Sequence, residues 1–290
     1  MKSNSVLILG CGDLGARTGA LLMAQGWQIA GVRRDIARLP AAFEGYAADY
    51  TKPGSLDFLA DLRPDWVLTT CNPTARSVAG YKAGFAGATA NLLAGLGEHR
   101  PRHIIAVTST RVFAERQGGW VEENSPLATD DPRAAAMIEA EQLLLTSGHA
   151  VSLVRFAGIY GASGGRLLAR VAAGELCSPQ PVRYSNRIHR DDCAGFLAHL
   201  LQRSAAGEAL QPVYIGVDNA PVPQYEVETW LAGKLGVEAA ARSSAGGLDP
   251  SAGRSASGHK RCRNRALRNS GYQLRYPDYR SGYGAVLQGR

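Results

Sequence analysis

The residues with the clearest chemical purpose stand near the start of the chain. There Val6 to Leu9 runs into Gly10-Cys11-Gly12-Asp13-Leu14-Gly15, followed by the helix-forming stretch Ala16 to Gln25. The G-x-G-x-x-G spacing is weak by itself. Set between a β-rich run and a helical one, with the next β-rich run opening at Trp27, it predicts a dinucleotide-binding turn. Gly10 permits the tight turn, and Gly12 lets the backbone approach a pyrophosphate at the helix N-terminus, beside Asp13 and Leu14. Gly15 lets helix and strand pack closely. The bland alternative is a glycine-rich turn that holds nothing.

The second β-rich run ends Gly31-Val32-Arg33-Arg34, where an NAD-selective turn would carry a carboxylate for the ribose 2′-hydroxyl. Two guanidiniums instead suit a 2′-phosphate through charge-assisted forked hydrogen bonds. The expected cofactor is therefore NADP(H), with NAD(H) left open because Asp35 follows and could turn back toward the ribose. Asp49, ending the third run, is placed either to meet an adenine edge or simply to open a loop. The fourth and fifth runs exit through Thr69-Thr70-Cys71-Asn72-Pro73 and Thr108-Ser109-Thr110-Arg111. Thr70, Cys71, Asn72 and Thr108 are accordingly candidate cofactor contacts.

These motifs need a sheet to carry them. Strand-like runs at 6–9, 27–32, 46–49, 66–70, 103–107 and 151–155 alternate with Ala/Leu-rich helical stretches. That rhythm predicts an α/β fold, a Rossmann-type doubly wound parallel sheet with ligands at the strands' carboxyl ends. Residues 1–160 read as the dinucleotide domain and 161–290 as a smaller mixed α/β substrate lobe, some of whose elements return to the sheet. In that lobe helices are expected at 166–173, from Asp191-Asp192 onward and at 224–235, with a strand at 213–217. One of the two aspartates is expected to cap its helix. Residues 238–258 are poor in large apolar side chains and read as a mobile loop.

Composition bounds the rest. With 290 residues and 45% hydrophobic content the chain can bury a core without staples. No apolar run approaches the roughly 20 residues of a membrane helix, and no signal-peptide core follows Met1, so a cytoplasmic location is expected. Five scattered cysteines suggest neither disulfides nor a metal knuckle. Residues 251–290 hold nine basic side chains against one acid, whereas the rest of the chain holds 23 against 24. Among readings of this tail, nucleic-acid binding is the least favoured, because no interleaved aromatics accompany the charge.

Gly10 to Gly15, Val107 to Thr110, Arg155 to Gly161 (R-F-A-G-I-Y-G), Arg187 to Asp192 (R-I-H-R-D-D), Lys260 to Asn264 and Tyr276 to Arg280 together resemble the extended short-chain dehydrogenase/reductases. This is the NAD-dependent epimerase/dehydratase family, and the likeness is to an atypical branch of it. It implies NAD(P) binding, a C-terminal lobe for a small-molecule substrate that is anionic or a nucleotide sugar, and a homodimer through helices 77–96 and 133–146. It also implies hydride transfer at a carbinol or carbonyl carbon. One departure stands out. The family's Tyr-x-x-x-Lys, aligned through Glu141, falls on Arg133 and Met137, neither of which can act as the usual proton donor and its activator. Ser109, Thr110, Tyr160 and His189 are the substitutes on hand. For Tyr160 the alternative is a packed aromatic, and for His189 a structural role beside a helix start. A catalytically silent NADP(H)-binding sensor or scaffold is the rival to an enzyme.

Overall fold

The structure is a computed structural model that describes residues 3–238 and 259–289. Apart from Glu238, the expected loop 238–258 lies outside the described residues. The β-rich runs form seven strands of one sheet: β1 (Ser5–Leu9), β2 (Gln28–Arg33), β3 (Glu44–Ala47), β4 (Trp66–Thr69), β5 (His103–Ser109), β6 (Val151–Phe156) and β7 (Val213–Gly216). Their order is β7-β6-β5-β4-β1-β2-β3. β1 pairs in parallel with both β2 and β4, β2 with β3, and β4 with β5. Val6, Leu7, Ile8 and Leu9 are all at most 1% exposed, the continuous burial of a strand covered on both faces. The chain winds outward from β1 through β2 and β3, then restarts at β4 on the other side. The switch point of this doubly wound sheet therefore lies beside β1, at the end of which the glycine turn begins.

Two compact units divide the chain. The first is Met1–Val112, Leu127–Arg155 and Cys193–Tyr214; the second is Phe113–Pro126, Phe156–Asp192 and Ile215–Arg290. Both are discontinuous, and Val213 and Tyr214, from the later part of the chain, begin the edge strand of the sheet.

In the first unit Leu7, Leu9, Val32, Val67, Ile104 and Leu153 from strands meet Leu92, Leu96 and Leu144 from helices. The helix expected over 77–96 is built as Val78–Lys82, a single π turn Ala83–Gly87 and Ala88–Leu96. Its glycines let it approach a loop closely. A Cβ on Gly84 would lie 2.3 Å from the Asn72 carbonyl oxygen and one on Gly80 2.4 Å from that of Ala75, so helix backbone rests directly on loop 72–75. The helix Pro132–Leu145 starts where Asp131 accepts the N–H groups of Arg133 and Ala134, with Pro132 as first residue. Its buried face carries Glu141, 2% exposed. Arg155 donates to both Glu141 oxygens, Nη2 to Oε2 at 2.7 Å and Nε to Oε1 at 3.1 Å, and the Thr108 hydroxyl donates to Oε1 at 2.6 Å.

The second unit has its own core of Leu168, Val171, Val227, Leu231, Tyr279, Tyr283 and Val286, from helices Arg166–Ala172, Gln224–Leu235 and Tyr279–Gln288. Glu228, fully buried, ties two of them together by accepting from Arg170, from Gln224 Nε2 and from the Cys177 N–H. The capping role expected of an aspartate at 191–192 needs correction for Asp192. The helix already starts at Arg190, and the Asp192 carboxylate accepts from the Tyr272 hydroxyl and the N–H groups of Arg275 and Tyr276, anchoring a segment some 80 residues further on.

The basic tail also departs from expectation, because aromatics do interleave with it. Trp120 has the guanidiniums of Arg261 and Arg263 each 4.9 Å from its ring, and Arg261 also lies 4.6 Å from the Tyr184 ring. Their sequence separation hides this arrangement. Much of the charge is answered locally: Arg263 and Arg265 face Glu122 at 3.3 and 3.9 Å, and Arg280 faces Glu226 at 3.1 Å. Among the described residues no helix is long and apolar enough to cross a membrane, and no group of three or more His, Cys, Asp or Glu could hold a metal ion.

Replacing Arg155 with Met should lower folding stability by about 3–5 kcal/mol, because it strands the buried Glu141 carboxylate. A urea titration measures this directly, and a loss below about 1 kcal/mol would mean that the carboxylate finds another partner or takes up a proton.

Candidate functional site

The glycine turn has three residues with three different surroundings. Gly10 has φ +75°, and a Cβ there would sit 3.2 Å from the backbone of Thr70 and Cys71, so two strand exits touch main chain to main chain. A Cβ on Gly15 would come within 2.7 Å of Ile8 Cγ2, which is the close packing of helix on strand. Gly12 differs from both. A Cβ there meets nothing nearer than the Gly10 carbonyl oxygen at 3.8 Å, and the helix Asp13–Met23 that follows has no side-chain cap at its N-terminus. Uncapped N–H groups beside an open glycine form a cradle for an anion.

The neighbouring groups lock this turn in place. Thr70 donates its hydroxyl to the Gly10 carbonyl at 2.9 Å, and Asn72 Nδ2 donates to the Thr70 carbonyl at 3.3 Å. Arg33 Nη1 donates to the carbonyls of Cys11 at 3.3 Å and Arg38 at 3.1 Å, fixing its guanidinium next to the turn, while Arg34 is exposed. Asp35 does not turn back toward the ribose position: it accepts from the Ala37 N–H and caps the short turn Ile36–Arg38. The Asp49 Oδ1 accepts from the Thr51 hydroxyl at 2.7 Å and its N–H at 3.1 Å, bonds that hold its carboxyl below the usual range, so the loop-opening role is in place. Burial pushes the Cys11 thiol up to about 11 and the Cys71 thiol up to about 12, so both are inert as nucleophiles at neutral pH. Thr108 spends its hydroxyl inward on Glu141.

At the β5 exit Ser109 Oγ accepts from the Arg111 N–H at 3.2 Å, and Arg111 Nη2 pairs with Asp131 at 2.7 Å. Met137 is 1% exposed, part of the core face of its helix. Arg133 is half-buried, and its guanidinium and that of Arg111 each lie 5.9 Å from the Tyr81 ring. Sequence reasoning missed Tyr81; Tyr50, which follows Asp49, donates its hydroxyl to the Asn72 carbonyl at 3.3 Å while Asn91 Nδ2 holds the Tyr50 carbonyl at 2.9 Å. Neither tyrosine carries a motif. The nearby sequence offers only a helical Tyr-Lys pair and a Tyr after a strand.

Tyr160 and His189 come together in the second unit, from strands Gly158–Tyr160 and Arg187–His189 paired in parallel with His189 opposite Tyr160. His189 is 4% exposed; its Nδ1 accepts the Asp191 N–H at 3.2 Å, and its ring meets Tyr160 edge-on at 5.3 Å and Tyr276 at 4.1 Å. Tyr160 stacks on Tyr283 at 4.3 Å. Burial, reinforced by Asp218, pushes the Tyr160 phenol far up, which opposes its loss of a proton. Asp218, 1% exposed, is itself pushed up to about 7, chiefly by burial, with the Ala220 N–H and Arg187 pulling against it and Asp278 and Asp192 adding to it.

That last shift has a measurable sign. Folded Asp218 keeps its proton at pH values where the unfolded side chain has lost it, so this group's contribution to stability is greatest below about pH 4 and is lost as pH rises through about 7. In Asp218→Asn this part of the fall should disappear from a profile of Tm against pH. A variant profile parallel to that of the wild type would show that Asp218 titrates normally.

No family model matches the chain. The protein YeeZ of Escherichia coli K12 is 28% identical over 209 residues, 70% of this chain and 74% of YeeZ. A solved structure from Methylobacillus flagellatus, provisionally described as an NAD-dependent epimerase/dehydratase, is 34% identical with a TM-score of 0.81, and the match covers 99% of both chains. Bordetella bronchiseptica WbmG, solved with NAD and UDP, shares the fold at 16% identity with a TM-score of 0.77, over 99% of this chain and 94% of WbmG. Identity of one third along nearly the whole length, on this sheet order and this glycine turn, places the protein: it belongs to the NAD-dependent epimerase/dehydratase family of extended short-chain dehydrogenase/reductases, in the branch that includes YeeZ.

Proposed function

We propose that the first unit binds a nicotinamide dinucleotide, NADP(H) in preference to NAD(H), and that the protein is an oxidoreductase or epimerase/dehydratase acting at a carbinol or carbonyl carbon. The observation that carries the reading is the open space at Gly12 in front of an uncapped helix, with Arg33 and Arg34 at the adjoining strand end. The residues present fit such a group. The N–H groups of Asp13, Leu14 and Gly15 would take the pyrophosphate, and Arg33 and Arg34 the 2′-phosphate, with Arg33 already oriented by two carbonyls. Asp49, Thr70, Cys71, Asn72 and the Thr108 backbone would line the remainder. WbmG supports the class, since it holds NAD and UDP on the same fold. The UDP that WbmG also holds is consistent with a substrate that carries a nucleotide, as a nucleotide sugar does.

Bound NADP(H) would supply a hydride donor or acceptor. The chain's own task is to polarise the reacting oxygen, and Ser109 and Thr110 are the hydroxyls placed at the β5 exit for it. Because Ser109 Oγ accepts from the Arg111 N–H, its own proton remains available to a substrate oxygen. The second reading, a catalytically silent NADP(H) sensor or scaffold, is favoured by the burial of Met137 where an activating lysine would stand.

Gly12→Leu should leave stability within about 1 kcal/mol, since its φ of −91° suits any side chain, yet abolish dinucleotide binding. Unchanged affinity in the folded variant would remove this turn as the site. Converting both Arg33 and Arg34 to Ala should weaken NADPH by about 1.5–3 kcal/mol for each charge-assisted bond lost and spare NADH. Competition titration checks this, and a wild type that prefers NADH would reverse the assignment. For catalysis, NADPH oxidation over a carbonyl panel should run roughly 10² to 10⁴ times below the level that acid–base assistance permits. Measurable turnover that falls in Ser109→Ala supports the enzyme, whereas dinucleotide binding without turnover supports the sensor.

A further inference from the structure

We propose that Arg133 binds a carboxylate joined directly to the reacting carbon, so that the substrate is a 2-oxo acid or the matching 2-hydroxy acid. The inference rests on the dinucleotide reading above and names its substrate class. Arg133, Met137 and Glu141 follow one another at four-residue steps and share one face of the helix Pro132–Leu145. Met137 is 1% exposed and Glu141 2%, so that face is turned inward, and half-buried Arg133 stands at its N-terminal end.

Two bonds fix where that end lies. Glu141 accepts the Thr108 hydroxyl at 2.6 Å, which sets the helix against β5, and Asp131 pairs with Arg111 at 2.7 Å just beyond the strand. Ser109, the hydroxyl placed for the reacting oxygen, lies between Thr108 and Arg111 and accepts the Arg111 N–H at 3.2 Å. Ser109, Arg111, Arg133 and Tyr81 are all half-buried, within reach of a ligand, and all belong to the first unit.

The charges there differ in how they are answered. Asp131 spends Oδ2 on the Arg111 guanidinium and Oδ1 on the N–H groups of Arg133 and Ala134, so Arg111 is neutralised in place. The Arg133 guanidinium has no hydrogen bond or ion pair among the described residues, and its contact is the Tyr81 ring at 5.9 Å. A guanidinium that has given up part of its water without gaining a carboxylate is completed by an anion. Its planar fork matches a carboxylate through two parallel bonds. No guanidinium gives up its proton at neutral pH, so the role is binding rather than acid catalysis. A nucleotide sugar carries its charge on the diphosphate, away from the ring carbon that reacts, and would leave Arg133 unanswered. In the reduction, a hydride from NADPH adds to C2 of the 2-oxo acid as the C2–O π bond breaks. The oxygen takes a proton from solvent by way of the Ser109 hydroxyl, and NADP⁺ and the 2-hydroxy acid are left with the carboxylate unchanged.

Oxamate, an unreactive stand-in for a 2-oxo acid, is titrated by calorimetry into the protein alone and into the protein saturated with NADP⁺. The wild type should bind it, Arg133→Gln should bind it about tenfold or more weakly, and Arg133→Lys, which keeps the charge and loses the fork, should fall between. NADPH affinity should be the same in all three. In turnover, pyruvate should be preferred to methyl pyruvate, the same ketone without the charge. Arg133→Gln should raise the KM for pyruvate and leave that for the ester unchanged. The proposal is overturned if oxamate does not bind the wild type or binds Arg133→Gln equally well. It is also overturned if dihydroxyacetone phosphate or UDP-glucose binds in a manner that depends on Arg133 while oxamate does not. A wild type that binds no NADPH removes the dinucleotide reading instead, and oxamate titrated into the protein alone still tests the carboxylate site.

Discussion

Contact between bare backbones organises the first unit. Gly10 brings the end of β1 against the main chain of Thr70 and Cys71, Gly15 seats the first helix on Ile8, and Gly80 and Gly84 seat a second helix on loop 72–75. A single methyl group at Gly15, Gly80 or Gly84 would collide at under 3 Å, and at Gly10 it would be tight and conformationally strained. Where side chains are absent the hydrogen-bonding groups of the loops come within reach of one another, which is why Thr70 can hold the Gly10 carbonyl. Of the three glycines of the turn, Gly12 is the one in open space, and that space is what the proposed pyrophosphate site rests on.

Buried charge does in side chains what the glycines do in backbone. Glu141 collects Arg155 and Thr108, linking a helix to two strands of the first unit, and Glu228 links two helices of the second. Asp192 holds the segment 272–276 by three donors. Such groups are stable inside only when their lone pairs are filled. The half-buried Arg133 guanidinium, with no such partner among the described residues, stands in contrast to them.

The glycine turn, the arginine pair after β2 and the strand runs were legible because each depends on a few adjacent residues. All six strands expected in the first 160 residues are present, as are the helices at 166–172 and 224–235. Roles that depend on a distant partner were not legible. Asp192 reads like a helix cap and is an anchor for residues 80 positions away; Thr108 reads like a cofactor contact and its hydroxyl serves Glu141, 33 positions away. Trp120 and Tyr184 interleave with Arg261 and Arg263 although neither lies near the basic tail in sequence.

The amino-acid sequence by itself determined the doubly wound sheet, the place of its switch point and the character of the turn beside it. Periodicity and glycine conformation act over short spans and survive any change of tertiary surroundings. Only the tertiary structure decided which hydroxyls and carboxylates are already spent. It put Met137 in the core, turned Asp35 into a cap and drew Tyr81 toward two guanidiniums, those of Arg111 and Arg133. The reason is physical: burial and pairing are properties of three-dimensional proximity, and residues separated by tens of positions carry no local mark of whom they will meet.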